Sequence, residues 1–259
     1  MDPYLVEALA AQVDRAALSG ETLTMLSAEH GELDLHSAYS IQRASIARRL
    51  GRGEKLCGMK MGLTSLAKMQ QMGVHDPIYG HLTDAMILEP GGALSLSGLV
   101  HPRVEPEIAF TLKADLKGAP SPDEAMTAVG SVHCAIEVID SRYTDFKFTL
   151  LDVIADNTSA CRYIMGEGYA PDDLELGNLA MKMDVGGREH RAGTSAAILE
   201  HPARSLARLV AMLSRCDEGL KAGQTILAGA ATAAVHIAAG DRVEVEVAGL
   251  GSVFFSVEG

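Results

Sequence analysis

The sequence predicts an α+β fold, a mixed and mostly antiparallel sheet preceded by a helical segment. Three observations predict it. Apolar residues recur at helical spacing near the N-terminus, glycines punctuate short apolar runs from Leu56 onward, and the stretch beyond Gln224 alternates like strands. No strand–helix–strand unit repeats, which argues against a doubly wound parallel sheet. A chain of 259 residues can bury a substantial core, and no Pro/Ser-rich linker divides it. Residues 1–259 therefore read as one domain, with a helical segment over 1–55 and a strand-rich body over 56–259.

Each element has its own signal. Leu5, Leu9, Val13 and Ala16 place a helix over 3–18, with Gly20 as its stop. A second helix over about 37–50 takes Ser37 as its cap and turns Ile41, Ala44 and Ala47 inward. Gly58, Gly62, Gly73, Gly80, Gly91 and Gly92 then break the chain into strands and turns. In the run after Arg103, Val104, Ile108, Phe110 and Leu112 fall on one face, and Glu105, Glu107 and Thr111 on the other. A further strand covers Val132 to Ile139, and helices cover Ser121 to Ala128 and His201 to Leu213. The apolar stretch Ile226 to Ala239 is too short to span a bilayer and reads as buried strand and turn. Strands over Gln224–Ala228, Arg242–Val247 and Ser252–Val257 complete the chain.

Composition narrows the function. Aromatic residues are 4% and Trp is absent, so aliphatic side chains and Met must do the packing. The formal net charge of −12 disfavours nucleic acid and anionic membrane surfaces. An acidic ligand would need a local positive site. The N-terminus lacks a basic region followed by an unbroken apolar stretch, so no signal peptide is expected. Cys57, Cys134, Cys161 and Cys216 show no metal-binding or redox spacing, which suits reduced thiols in a cytoplasmic protein. No glycine-rich phosphate loop occurs, so nicotinamide and nucleotide cofactors are not expected. The absence of a Gly-x-Ser-x-Gly elbow weakens a serine-hydrolase reading.

The candidate chemistry centres on Glu105 and Glu107, two carboxylates leaving one strand face, with Glu137 on a neighbouring strand. Converging carboxylates repel unless a cation sits between them, and hard oxygen ligands select Mg²⁺, Mn²⁺ or Ca²⁺ over zinc. Spacing alone equally allows a solvated strand face. Lys60 lies in an apolar, glycine-rich setting, either as an edge-strand charge or as a desolvated cation facing a pocket. Asp76 precedes a proline, a common turn element, with His75, Tyr79 and His81 close by in sequence. Asp156 and Asn157 are pocket groups or a turn that satisfies its own backbone. Gly229-Ala230-Ala231-Thr232 offers amides and a hydroxyl to an anion. His101 and His201 have no partner at metal-ligand spacing and read as structural.

Five segments occur in one order: Lys-Met-Gly-Leu-Thr-Ser from Lys60, Gly-Val-His-Asp-Pro-Ile-Tyr-Gly from Gly73, His-Pro-Arg-Val-Glu-Pro-Glu-Ile-Ala-Phe from His101, Ala-Ile-Glu-Val-Ile-Asp-Ser-Arg-Tyr from Ala135, and Ile-Ala-Asp-Asn-Thr-Ser from Ile154. Together they resemble the hydratase/decarboxylase branch of the fumarylacetoacetate hydrolase superfamily, from about residue 35 to the C-terminus. Pro-Ile-Tyr-Gly-His and Asp-Ser-Arg-Tyr-Thr-Asp-Phe-Lys-Phe lean toward its decarboxylases. The resemblance implies a β-roll and a single catalytic domain. It implies metal ligands at Glu105, Glu107 and Glu137 for Mg²⁺ (Mn²⁺ as the alternative), and proton handling by Lys60 and Asp76. It further implies decarboxylation of 2-oxo-3-hexenedioate in meta-cleavage breakdown of aromatic compounds, homo-oligomers and association with a pathway hydratase. A sister hydratase activity at the same site is the alternative. One departure is Gly229-Ala230, where relatives often carry Gly-Gly before the late Thr.

Overall fold

The computed structural model describes residues 1–65, 69 and 76–259. Three helices open the chain: α1 (Pro3–Ser19), α2 (Leu26–Glu29) and α3 (Leu35–Gly51). The α1 start is fixed by the Asp2 carboxylate, which accepts from the Tyr4 amide at 3.0 Å, and its end by Gly20 at φ 71°. The expected cap at Ser37 is corrected: α3 begins earlier, capped by Asp34. Ser37 is the third residue of a reciprocal capping box, its amide donating to Asp34 Oδ1 at 2.8 Å. A carboxylate is the stronger acceptor and also complements the positive helix end.

The strand-rich body holds β1 (Leu56–Gly62), β2 (Ile78–Thr83), β3 (Ala93–Ser95), β4 (Pro102–Leu112), α4 (Pro122–Thr127), β5 (Val129–Asp140), α5 (Leu150–Ala155), β6 (Ala160–Tyr169), β7 (Ala180–Val185), β8 (Glu189–Thr194), α6 (Pro202–Ser214), β9 (Thr225–Ala230), β10 (Val235–His236), β11 (Arg242–Val247) and β12 (Gly251–Glu258). One sheet runs β2-β1-β9-β4-β5-β6, with β10 against β4, and the other β3-β12-β11-β7-β8. Pairing is antiparallel except for β1–β9 and β3–β12. The result is the mixed, mostly antiparallel α+β architecture that the pattern predicts.

The alternation along β4 and β5 decides where each face goes. Val104, Ile108, Phe110, Ile136 and Val138 pack toward the second sheet, against Val243, Val245, Val253 and Phe255, with Leu206, Leu209 and Leu213 of α6 in the same core. Fully burying each such side chain contributes about 1.5–3 kcal/mol. The opposite face of these strands carries the three glutamates. On that side Leu82, Met86, Ala109, Ala135, Tyr163 and Leu227 form a smaller cluster. The N-terminal helices build their own core from Leu9, Val13, Ala38, Ile41, Ile78, Tyr143 and Ile154. The four cysteines are unpaired thiols. Among the described residues no helix is long and apolar enough to cross a membrane.

Candidate metal centre

Strand register assembles the carboxylates. Glu105 stands directly opposite Glu137 in the β4–β5 ladder, and Glu107 follows two residues on from Glu105, on the same face. One oxygen from each lies within 4.8 Å of the others. Glu107 and Glu137 are wholly buried, Glu105 half-buried. Glu107 Oε2 accepts the Gly229 amide at 2.7 Å, whereas Oε1 of Glu107 and Oε1 of Glu137 accept no hydrogen bond among the described residues. A buried acceptor without a donor costs about 1–3 kcal/mol, more when charged. Burial, then the Glu137 charge, pushes the Glu107 pKa well up, and burial likewise raises that of Glu137. An all-oxygen set with two orphaned oxygens fits a hard divalent cation, and such an ion would reverse those shifts.

Lys60 joins this cluster. It lies on β1, with β9 between it and β4, and its Nζ stands 2.9 Å from Oε2 of Glu137. Burial opposes its charge, but Glu137, Glu105 and Glu107 outweigh that, so its pKa rises and the ammonium is kept. Nζ also donates to the Thr158 carbonyl at 3.1 Å. That carbonyl is aimed by an unusual turn, in which Asn157, Thr158 and Ser159 take φ of 49°, 52° and 56°. Three successive non-glycine residues in the left-handed region carry strain that surrounding bonds must hold. Asn157 clamps β2 through the His81 amide (2.8 Å) and carbonyl (2.9 Å), and Thr158 Oγ1 donates to the Tyr79 carbonyl at 2.7 Å. Beneath the turn, buried Arg142 donates to the Asp156 carboxylate at 2.6 Å and its carbonyl at 2.9 Å. Asp156 and Asn157 are thus the framework of the turn.

Gly229 is required where it stands. Its φ is 113°, and a Cβ there would overlap the Thr64 side chain. The sequence pattern offered its amide to an anion, and the anion it meets is Glu107. Ala230, the departure from Gly-Gly, pairs with Glu107 in the ladder without needing positive φ.

Asp76 is placed elsewhere. Its carboxylate pairs with Arg208 of α6 and lies 3.6 Å from Nη1 of Arg215. It borders a cavity of about 560 Å³ lined by Tyr39, Arg43, Tyr79 and Cys216 among others, and by none of the three glutamates. Residues 66–68 and 70–75, His75 included, lie outside the described residues. His81 is buried on β2, and Tyr79 stacks on Tyr39 with ring centroids 4.5 Å apart. His101 contacts the Phe146 ring, and the Nδ1 of His201 caps α6. Both have structural surroundings.

The family model for the fumarylacetoacetate (FAA) hydrolase C-terminal region matches residues 61–258. The chain belongs to the fumarylacetoacetate hydrolase family. Within that family it is 46% identical over 254 residues, 98% of each chain, to a 4-oxalocrotonate decarboxylase from Pseudomonas sp. It is 34% identical to a 2-keto-4-pentenoate hydratase from Paraburkholderia xenovorans, over 98% of this chain and 95% of that one. The structure of 4-oxalocrotonate decarboxylase from Pseudomonas putida G7, complexed with magnesium and adipate, superposes with a TM-score of 0.96 at 39% identity, covering 99% of this chain and 98% of the other.

Sequence reasoning missed the Thr158 carbonyl and assigned no role to Thr64. Asn-Thr-Ser reads as an ordinary turn, and nothing in its composition announces three left-handed residues.

Proposed function

We infer that this protein is a divalent-metal-dependent decarboxylase that converts 2-oxo-3-hexenedioate to 2-hydroxypenta-2,4-dienoate and CO₂, in the breakdown of aromatic compounds. The observation that carries the metal chemistry is the buried glutamate cluster with two orphaned oxygens. The higher identity to the decarboxylase than to the hydratase favours loss of CO₂ over addition of water. Mg²⁺ is the assigned ion, in keeping with the magnesium of the related structure.

The substrate is a vinylogous β-keto acid. As the bond to the distal carboxylate breaks, its electron pair moves through the conjugated carbons onto the 2-oxo oxygen, which then needs a proton. When bound by Glu105, Glu107 and Glu137, the ion supplies a Lewis-acidic sink for that charge. Lys60, protonated beside Glu137, is the group assigned to hydrogen-bond the 2-oxo oxygen and deliver the proton. Asp76 enters the proton handling on the strength of the resemblance alone, since its carboxylate rests on Arg208 and Arg215. Residues 1–259 act as one catalytic domain in this reading. Its wider setting is a cytoplasmic homo-oligomer that associates with a hydratase consuming the dienoate.

The test offers the Mg²⁺-loaded chain each substrate in turn. CO₂ release from 2-oxo-3-hexenedioate is expected. Formation of a 4-hydroxy-2-oxo acid from the dienoate, without CO₂ release, would instead establish the hydratase. Lys60→Ala should lose turnover roughly 10²–10⁴-fold while still binding Mg²⁺. Wild-type rates in that variant would reduce Lys60 to a structural ion pair.

A further inference from the structure

A protein with a formal net charge of −12 repels a dicarboxylate at long range, so the carboxylate remote from the glutamates needs a cation close by. Two nearby cations are committed. Lys60 is held by Glu137 and the Thr158 carbonyl, and Arg142 is spent on Asp156. Arg103 differs. It precedes Glu105 by two residues on β4, so both side chains leave the same sheet face roughly 7 Å apart. Its guanidinium carbon lies 3.9 Å from the centre of the Phe146 ring. Among the described residues no hydrogen bond or ion pair uses its N–H donors.

The Phe146 ring is braced. His101 meets it edge-on with centroids 5.9 Å apart, and Phe148 does so at 5.1 Å. The backbone of Asp145 and Phe146 sits at φ 57° and 58°, which turns the ring back over β4. His101 is itself tied to the Ser141 carbonyl at 3.0 Å. Stacking on a fixed ring orients the guanidinium plane and leaves its edge free for a carboxylate, which it binds bidentately.

Resting on the decarboxylase reading, we propose that Arg103, stacked on Phe146, binds the distal carboxylate of the substrate and sets the preference for a dicarboxylate. Phe146 is the positioning residue. The contact belongs to the ground state and dissolves as CO₂ departs, so it lowers KM and does not raise kcat.

The full Mg²⁺-loaded chain is titrated calorimetrically with 2-oxoadipate and 2-oxohexanoate, which differ only in the distal carboxylate. The wild type should prefer 2-oxoadipate. Arg103→Met should weaken 2-oxoadipate roughly 10- to 100-fold and leave 2-oxohexanoate unchanged. Arg103→Lys should restore part of the loss, and Phe146→Leu should lose part of the preference. On 2-oxo-3-hexenedioate, Arg103→Met should raise KM without lowering kcat. Unchanged 2-oxoadipate affinity in Arg103→Met, or equal loss for both ligands, overturns the proposal. CO₂ release by the wild type with an unaltered KM in Arg103→Met also overturns the clamp and leaves the decarboxylase standing. No CO₂ release by the wild type sinks the decarboxylase, while the ligand pair still reports on Arg103.

Discussion

Glu107 and Ile108 are neighbours on one strand, both wholly buried, and face opposite ways. Ile108 enters the apolar core between the two sheets. Glu107 enters a cluster of three carboxylates with one ammonium, where one of its oxygens accepts nothing among the described residues. The first side chain stabilises the fold as it stands. The second does so only when a cation arrives. The period of a strand thus lets one segment build a finished surface and an unfinished one together.

The largest effect that tests this contrast comes from Glu107→Gln. The amide keeps an acceptor for the Gly229 amide but removes the charge. Turnover should fall about 10³-fold or more, since the metal contributes several kcal/mol and each 1.4 kcal/mol is tenfold. The metal-free variant, however, should melt above the metal-free wild type, because a repelling buried charge is gone. Mg²⁺ at 100 times its Kd should stabilise the wild type by about 2.7 kcal/mol, and the variant far less. Melting curves with and without chelator read both quantities. A metal-free variant less stable than wild type would mean that the protein already neutralises Glu107, and the contrast would fail.

How much of this was legible follows from the range of each interaction. The helix over Leu5, Leu9 and Val13 and the pairing of Glu105 with Glu107 show in the sequence, because one period within one element creates them. Glu137 shows as a third carboxylate, and its place opposite Glu105 follows from antiparallel register. The Lys60–Thr158 contact joins residues 98 apart in sequence and depends on a left-handed turn whose own side chains, Asn157 and Thr158, bond to the β2 backbone. No local propensity encodes that. Ser37 fits a cap because serine caps helices well, but Asp34 competes for the same role with a full charge. Asp76 meets Arg208 and Arg215 only because α6 docks beside it, which no pattern around Asp76 foretells.

A smaller effect comes from His81, a buried polar group that no ion is expected to rescue. Its Nδ1 has no partner among the described residues. Burial, then the Arg43 guanidinium, lowers its pKa to about 4, against the resisting effect of Asn157 as an acceptor. The unfolded chain therefore takes up the proton first. Stability is complete above about pH 6.5 and is lost as the pH falls toward 4, a total of about 3 kcal/mol, with about 2 kcal/mol gone by pH 5. His81→Gln should flatten the urea midpoint between pH 7 and 5 relative to wild type. Equal slopes in the two proteins would show that the imidazole is already compensated. His81 would then belong with the finished surface.

The smallest effect is the most discriminating, because it removes one methylene from the finished side. Ile108→Val leaves a small gap between the sheets and should cost about 1 kcal/mol. In a chain of this size that lowers the melting temperature by about 2–4 °C. The lost methyl belongs to the interlayer core, whereas Glu107 points through the other side of the sheet. Metal affinity and kcat per folded molecule should therefore stay at wild-type values. If kcat fell with this single methyl, the backbone of β4 would be transmitting core packing into the carboxylate spacing. The two faces would then be one coupled unit, and the independence inferred from their alternation would be wrong.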